Sequence, residues 1–357
     1  MAASKRFVLN TGPGQAFESV ELVQAIACAI NGLPARPPRV AIALSAGADS
    51  AMLAVQAAAF ARRQPIELHC FHIHHGLQEQ AGRWQAHAHD LAHRLQIPCH
   101  SRRAQVDLSR GDGMESAARE ARYEALKILA RQTGVQHVLL AHHRNDQAET
   151  VLLRLLRGAG PAGLAAMAPV MQRGGLVYLR PFLDIDRAAI MSMARRFAQD
   201  TGWEPVSDPS NSDDQYTRAA VRERLVPALD ERWPGWQGNL ARHARLSAEA
   251  GGILAEVAAQ DLAGLDPSPD ALSFSLQAWR RLSPPRQSLV LRYWLAQSGL
   301  RMPSQARLDT ITRQLRELHA LGHDRQMRVK HGLHWVCCIN GRVLLAPVDS
   351  GGMPVIQ

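Results

Sequence analysis

Val40-Ala41-Ile42-Ala43-Leu44-Ser45-Ala46-Gly47-Ala48-Asp49-Ser50 decides how this chain is read. The apolar run Arg39–Leu44 predicts a short buried strand. Ala48–Arg63 carries Ala, Leu and Met at helical spacing. Between them lie small residues, whose backbone N–H groups can approach phosphate oxygens closely at the positive end of the helix dipole. Ser45 and Ser50 add hydroxyl donors. Asp49 is the odd member: a carboxylate beside phosphates repels them unless it holds a cation or fixes the loop by capping the helix. No lysine follows, so this is not the Gly-x-x-x-x-Gly-Lys-Ser/Thr loop. An N-capped turn in an unrelated α/β domain would look similar at this length.

Outward from this turn the text alternates. Ile66–His74, Cys99–Val106, His137–His142 and Val177–Phe182 predict strands. Arg83–Leu95, Glu115–Gln132, Asn145–Leu156 and Asp186–Asp200 predict helices. Such alternation implies an α/β fold with a parallel sheet covered on both faces, and ligands bind such sheets outside the carboxyl ends of the strands. After the polar, turn-rich stretch Gly202–Asp214, helical patterns follow over Thr217–Glu231 and Gln237–Leu262, and around 284–298 and 303–320. The chain then closes with a hairpin between 325 and 346, turning at Asn340-Gly341. The expected division is a nucleotide-binding domain over 1–215, a helical linker over 216–264, and a smaller, mainly helical domain over 265–357.

Two further constellations fall on helices. His142, Asp146 and Glu149 sit at i, i+4 and i+7, sharing one face if the helix starts early. First-turn acids favour the helix dipole, which explains Asp146. Glu149 has Leu152 and Leu153 ahead of it and no basic partner on its own helix, so the acid pair predicts a cation there, a metal ion or a substrate amine. Glu115, Arg119 and Arg122 also share a face, and an exposed Glu115–Arg119 ion pair would explain that spacing alone. His72 and His74 point to one side of a strand, but no third ligand accompanies them.

Charge is unevenly spread. The chain carries +9, and residues 271–357 hold twelve Lys or Arg against four Asp or Glu. All basic residues but Lys5, Lys127 and Lys330 are arginines, whose planar forks suit phosphate. A basic tail behind a near-neutral body predicts a nucleic-acid footprint. The five cysteines are scattered and never spaced Cys-x-x-Cys, which speaks against a cluster, a zinc site or a disulfide framework and for a reducing cytoplasm. No apolar run is long enough for a membrane span.

The loop Ser45–Ser50 resembles the Ser-Gly-Gly-x-Asp-Ser pyrophosphate loop of the N-type ATP pyrophosphatases, with Ala46 in place of the first glycine. With His72–Leu77, Glu115–Tyr123, His142–Leu164, Asp208-Pro209-Ser210-Asn211, Arg218, Arg222 and Pro227, and the later Leu291–Leu295, Pro303-Ser304 and Leu308, the chain is similar to the tRNA(Ile)-lysidine synthetases. The resemblance implies an adenine nucleotide alpha hydrolase-like fold and a ligase. ATP would sit on Ser45, Ala46, Gly47, Ala48, Asp49 and Ser50, with magnesium on Asp49 and Asp146. It implies that the wobble cytidine of a tRNA(Ile) with a CAU anticodon is adenylated at its C2 oxygen and that L-lysine then displaces AMP. Asp49, Asp146 and Glu149 would be catalytic. Glu115, Arg119 and His142 would line the substrate pocket, and Arg218, Arg222 and Arg292 would contact tRNA. The runner-up is a 2-thiolation enzyme of the same superfamily, a chemistry that wants paired cysteines. Amidating synthetases, which need a glutaminase segment, and a non-catalytic nucleotide sensor that kept the loop are more distant alternatives.

Overall fold

The structure is a computed structural model and describes residues 17–74, 80–107, 114–207, 217–300, 302–318, 327–348 and 353, without the side chain of Glu115. The expected motif residues His75-Gly76-Leu77 and Asp208–Asn211 lie outside this set, as does Arg325.

In chain order the first elements are α1 (Val20–Asn31), β1 (Arg39–Ala43), α2 (Ala48–Ala61), β2 (Glu67–His74), α3 (Ala81–Arg94) and β3 (Cys99–Arg103). Then come α4 (Met114–Thr133), β4 (His137–Leu139), α5 (Arg144–Leu156), the single turn α6 (Pro161–Leu164), β5 (Val170–Arg173), β6 (Leu176–Leu179) and α7 (Arg187–Thr201). A short α8 (Thr217–Ala220) runs through a π-helical turn (Val221–Leu225) into α9 (Val226–Arg232) and the long α10 (Trp236–Ala263). The rest is β7 (Ser273–Ser275), α11 (Leu276–Arg280), α12 (Pro284–Gln297), α13 (Gln305–Glu317), β8 (Met327–His331), β9 (His334–Ile339) and β10 (Arg342–Pro347). No described helix is long and apolar enough to cross a membrane.

The first sheet runs β3-β2-β1-β4-β6-β5. All its pairings are parallel except that of β5 with β6. Successive strands step one way from β1 to β3, and β4 is added on the other side of β1. Order therefore reverses between β1 and β4, and a crevice opens beyond their carboxyl ends. The pleat sorts the strand residues: Val40, Ile42 and Leu44 enter one core with α1, α2 and α7, while Ala41 and Ala43 enter the other with Tyr123, Leu126 and Leu129 of α4. Helix α2 is buried along nearly its whole length. Its run of alanines lets neighbouring helices approach on several sides. Its one buried amide, Gln56, accepts from Ser19 N and donates to Phe17 O, so both its oxygen and its nitrogen have a partner.

The chain divides into two compact units, 1–247 and 248–357. The second packs Trp279, Trp294, Phe274 and Leu308 between α11–α13 and a four-stranded antiparallel sheet, β7-β10-β9-β8. The expected hairpin turn is there: Asn340 and Gly341 have φ of +49° and +75°, as a two-residue turn of this kind demands.

Several elements had not been expected. Helix α1 was legible, since Leu22, Ile26 and Ile30 recur every four residues behind the cap Ser19. Strands β5 and β7 are only four and three residues long and carry no comparable pattern.

Candidate active site

A cavity of about 850 Å³ opens at the order reversal. It is lined by the Ser45–Ser50 turn, the loop after β4, α5, Arg187 of α7, and Arg218 and Arg222. The Ser45–Ser50 turn thus shares one cavity with His142, Asp146 and Glu149.

The turn is held by its own hydroxyls. Ser50 Oγ accepts from Ser45 N at 3.1 Å, donates to Gly47 O at 3.1 Å and lies 2.9 Å from Ser45 Oγ. Ala46 O accepts from Val206 N at 2.9 Å. Ala46 has φ +68° and is fully buried. The position therefore wants glycine, and alanine bears left-handed strain of about 1–2 kcal/mol there. Gly47, by contrast, has an ordinary φ of −71° and caps α2 without a side-chain bond. A Cβ on Gly47 would meet Ser45 Oγ only at 3.5 Å, an ordinary contact. Neither a left-handed backbone nor a steric clash therefore requires glycine at 47.

Asp49 and Asp146 meet across His143. Its Nε2 lies 3.7 Å from Asp49 Oδ1 and 3.4 Å from Asp146 Oδ2. His143 is 2% exposed and caps α5: its Nδ1 accepts from Asp146 N, while Asp146 Oδ2 accepts from His143 N. The cap fixes the tautomer, so the ring proton sits on Nε2, between the two carboxylates. The two acids diverge electrostatically. Burial pushes Asp49 upward, its strongest influence, and Asp146 adds to that, against His143 and Arg187. Its Oδ1 is buried without a hydrogen bond, Arg187 Nε being 3.9 Å away. Burial would raise Asp146 too, but His143, Arg218 and the backbone bond outweigh it and hold it below the usual range.

Glu149 corrects one expectation. It was read as unpaired because its own helix supplies no cation; the fold supplies two from about 70 residues away. Glu149 is 4% exposed, and its carboxylate takes Arg218 Nε at 2.8 Å, Arg222 Nε at 2.7 Å and Arg222 Nη2 at 2.9 Å. The same arginines reach Asp146 Oδ1 at 3.2 and 3.3 Å. Arg218 and Arg222, expected on tRNA phosphates, thus face into the cavity, because a buried carboxylate must be paired. They come from α8 and the π-helical turn, a distortion frequent at functional sites.

His142 lines the cavity, as expected of a pocket residue. Burial first, then Arg180, Arg122 and Arg218, push its pKa down to about 3 against the pull of Asp146, so it is neutral. Arg180 Nε donates to its Nδ1 at 3.3 Å. Arg119 is exposed, contacts Tyr123 Oη at 3.5 Å and is not among the cavity residues. Glu115 was expected beside it, but its side chain is outside the described set. Arg292 belongs to the second unit and donates to Gln305. Sequence reasoning missed His143, Arg187 and Arg122 as cavity residues; only the helix-start position of His143 was a usable signal. Among the described residues no group of three or more His, Cys, Asp or Glu could hold a metal ion, His72 and His74 included.

Residues 20–229 match a family described as the PP-loop domain, and residues 274–344 match the TilS substrate binding domain. The chain is 55% identical over 322 residues to the tRNA(Ile)-lysidine synthase of Bordetella bronchiseptica, covering 90% of this chain and 93% of that one. It is 42% identical over 321 residues to the enzyme of that name from Ralstonia nicotianae, covering 88% of this chain and 68% of the other. Among solved structures, the U34-tRNA thiolase NcsA from Methanococcus maripaludis, with its 4Fe-4S cluster, aligns with a TM-score of 0.53 at 15% identity, over 64% of this chain and 79% of that one. That likeness extends to the fold alone.

Proposed function

The chain belongs to the tRNA(Ile)-lysidine synthase family, and from that premise we propose that it ligates L-lysine to C2 of the wobble cytidine in a tRNA(Ile) with a CAU anticodon. ATP is the co-substrate, bound over the Ser45–Ser50 turn. The C2 oxygen attacks the α-phosphorus and pyrophosphate leaves. The ε-amine of lysine then bonds to C2, the C2–O bond breaks, and AMP carries the oxygen away. Adenylation is what makes that oxygen able to leave.

The observation that carries this reading is the orphaned Oδ1 of Asp49, which lines the same cavity as the Ser45–Ser50 turn. A buried carboxylate oxygen with no hydrogen bond fits a hard cation better than it fits a helix cap. Asp49 and Asp146 would be the residues that hold magnesium. Two carboxylates are few, but magnesium commonly completes its shell with substrate phosphates and water. When bound, it neutralises charge on the phosphate oxygens. Ser45, Ser50 and the first N–H groups of α2 would orient the triphosphate, and the Arg218–Arg222 clamp would fix Asp146 and Glu149 in place.

The 2-thiolation reading has less support, since none of the five cysteines lines the cavity. We assign the basic part, 265–357, to tRNA binding, residues 1–215 to catalysis and 216–264 to a helical linker. Five scattered cysteines support a cytoplasmic setting.

The test is AMP release from ATP with unmodified tRNA(Ile), with and without lysine. We expect release to depend on lysine. ATP–pyrophosphate exchange should vanish in Asp49→Ala; full exchange in that variant would refute the assignment of the loop.

A further inference from the structure

The strained residue of the Ser45–Ser50 turn is held from outside the turn. Ala46 is left-handed at φ +68°, and its carbonyl accepts from Val206 N at 2.9 Å. That carbonyl and Gly47 N–H belong to one trans peptide, so the bond also fixes where Gly47 N–H points. Inside the turn Gly47 N–H has only a long bond, to Ser45 Oγ at 3.4 Å, which a phosphate oxygen can displace. Strain at a residue such as Ala46 persists only where the surroundings fix it.

The fixing segment starts where α7 stops. Gly202, left-handed at φ +69°, caps α7. Trp203 then enters the core against Phe197, with its indole N–H buried and unpartnered. A donor stranded in this way costs stability, so packing alone is a poor account of the segment's course. Pro205 and Val206 line the cavity. Helix α3 grips the segment between these points. The His87 ring stacks on Trp203, with centroids 4.5 Å apart and planes 9° from parallel, and its Nε2 donates to Glu204 O. Arg94 of the same helix donates to Thr201 O at 3.2 Å. His87 itself is not a cavity residue.

We infer that His87 is a positioning residue for ATP: through Glu204–Val206 it keeps Ala46 in the left-handed shape of the pyrophosphate loop. An alanine without such a hold leaves positive φ for the ordinary regions. ATP would then have to restore the shape, and its apparent affinity would fall with the fraction of molecules that hold it. While the segment is in place, the strain falls on folding and ATP does not meet it. The plainer account of His87 is a ring that covers Trp203. Removing such a ring would cost stability and leave ATP affinity alone. The inference rests on the reading of Ser45–Ser50 as the ATP loop.

The test is the Kd for ATP, measured on the full chain without tRNA or lysine. His87→Ala should raise it by about 5- to 30-fold, the factor by which left-handed alanine is disfavoured. His87→Phe keeps a ring on Trp203 and loses only the bond, so it should show part of the rise with the fold intact. Glycine takes a left-handed φ about as readily as a right-handed one. In an Ala46→Gly background the rise caused by His87→Ala should therefore shrink to about twofold. The KM for lysine should stay the same in both His87 variants. An unchanged Kd in His87→Ala would overturn the inference. So would a rise equally large in the Ala46→Gly background, which would mark a general loosening of the site. Failure of the unaltered chain to bind ATP would instead bring down the reading of the loop on which it stands.

Discussion

Asp49 shows what the site costs the fold. Its Oδ1 is buried with no hydrogen bond, and burial is the main reason its carboxyl holds its proton to higher pH than in the unfolded chain. The folded state is then penalised once the pH rises above the ordinary aspartate value of 3.8, and the penalty is complete above the raised value. Asp49→Asn should therefore stabilise the ligand-free protein by roughly 1–2 kcal/mol at pH 7. The gain should disappear below the ordinary aspartate range. Urea melts across pH measure this, and a destabilised Asn variant at neutral pH would contradict it. His142 has the opposite sign. Its pKa is pushed from 6.5 to about 3, so its neutral form supports the fold above the ordinary histidine range, and that support is lost as pH falls toward 3. Ala46 belongs to the same ledger at the next position but nets out differently. The strain of its φ of +68° is about 1–2 kcal/mol, against about 0.8 kcal/mol for burying its methyl group and 0.5–1 kcal/mol of chain entropy that glycine would lose. These terms nearly cancel, so the loop tolerates alanine where glycine would be expected. Since the strain is present before ATP arrives, it weighs on folding rather than on ATP affinity.

At the scale of elements, what could be read depended on how local the cause was. The β1–turn–α2 unit and the acids of α5 are written within 10 to 20 residues, by an apolar run, small residues and helical spacing. The start of α5 was also readable, because the His143–Asp146 cap spans only three residues. The Arg218–Arg222 clamp was not. Arg218 lies 69 residues from Glu149 and Arg222 lies 73, and no periodicity announces a partner at such a distance. The same holds for Arg122, whose place beside His142 depends on α4 crossing a sheet whose order runs against the chain. The clamp makes its own prediction. Glu149 is nearly inaccessible, so Arg222→Met should destabilise the fold by about 2–4 kcal/mol, the low side of the range for breaking a buried pair because the arginine is partly solvated. Much of that cost is the stranded carboxylate, so Glu149→Gln should mask it. A double-mutant cycle over the two positions should give a coupling above about 1 kcal/mol. A cycle that sums to zero would mean that α8 and the π-helical turn are held by packing instead.

At the scale of the whole molecule, charge separates the two tasks. In the first unit the cavity pairs its arginines with acids or encloses them. In the second, several of the described arginines meet neutral acceptors. Arg280 donates to the carbonyls of Leu315 and Arg316, Arg316 to Gln287 and Arg292 to Gln305. Arg286 and Arg342 are exceptions, paired with Asp261 and Asp266. Among the described residues Arg280, Arg292 and Arg316 thus carry no ion pair, and they are part of the excess of twelve basic over four acidic residues in 271–357 that would suit an anionic partner. Shortening the chain is a poor test of this, because Asp261 is buried and would lose Arg286. Neutralising exposed Arg281 and Arg313 together with Arg292 leaves the Trp279–Trp294 core intact. If each of the three meets a phosphate, replacing all three with Gln should flatten the slope of log affinity for tRNA against log salt by about 2–3, each contact carrying about 0.7–0.9. Lysine-dependent kcat at saturating tRNA should stay the same, since none of the three lines the cavity. A slope unchanged by the triple substitution would mean that the tRNA does not rest on this face of the second unit, and that its surplus charge is only a solvated surface.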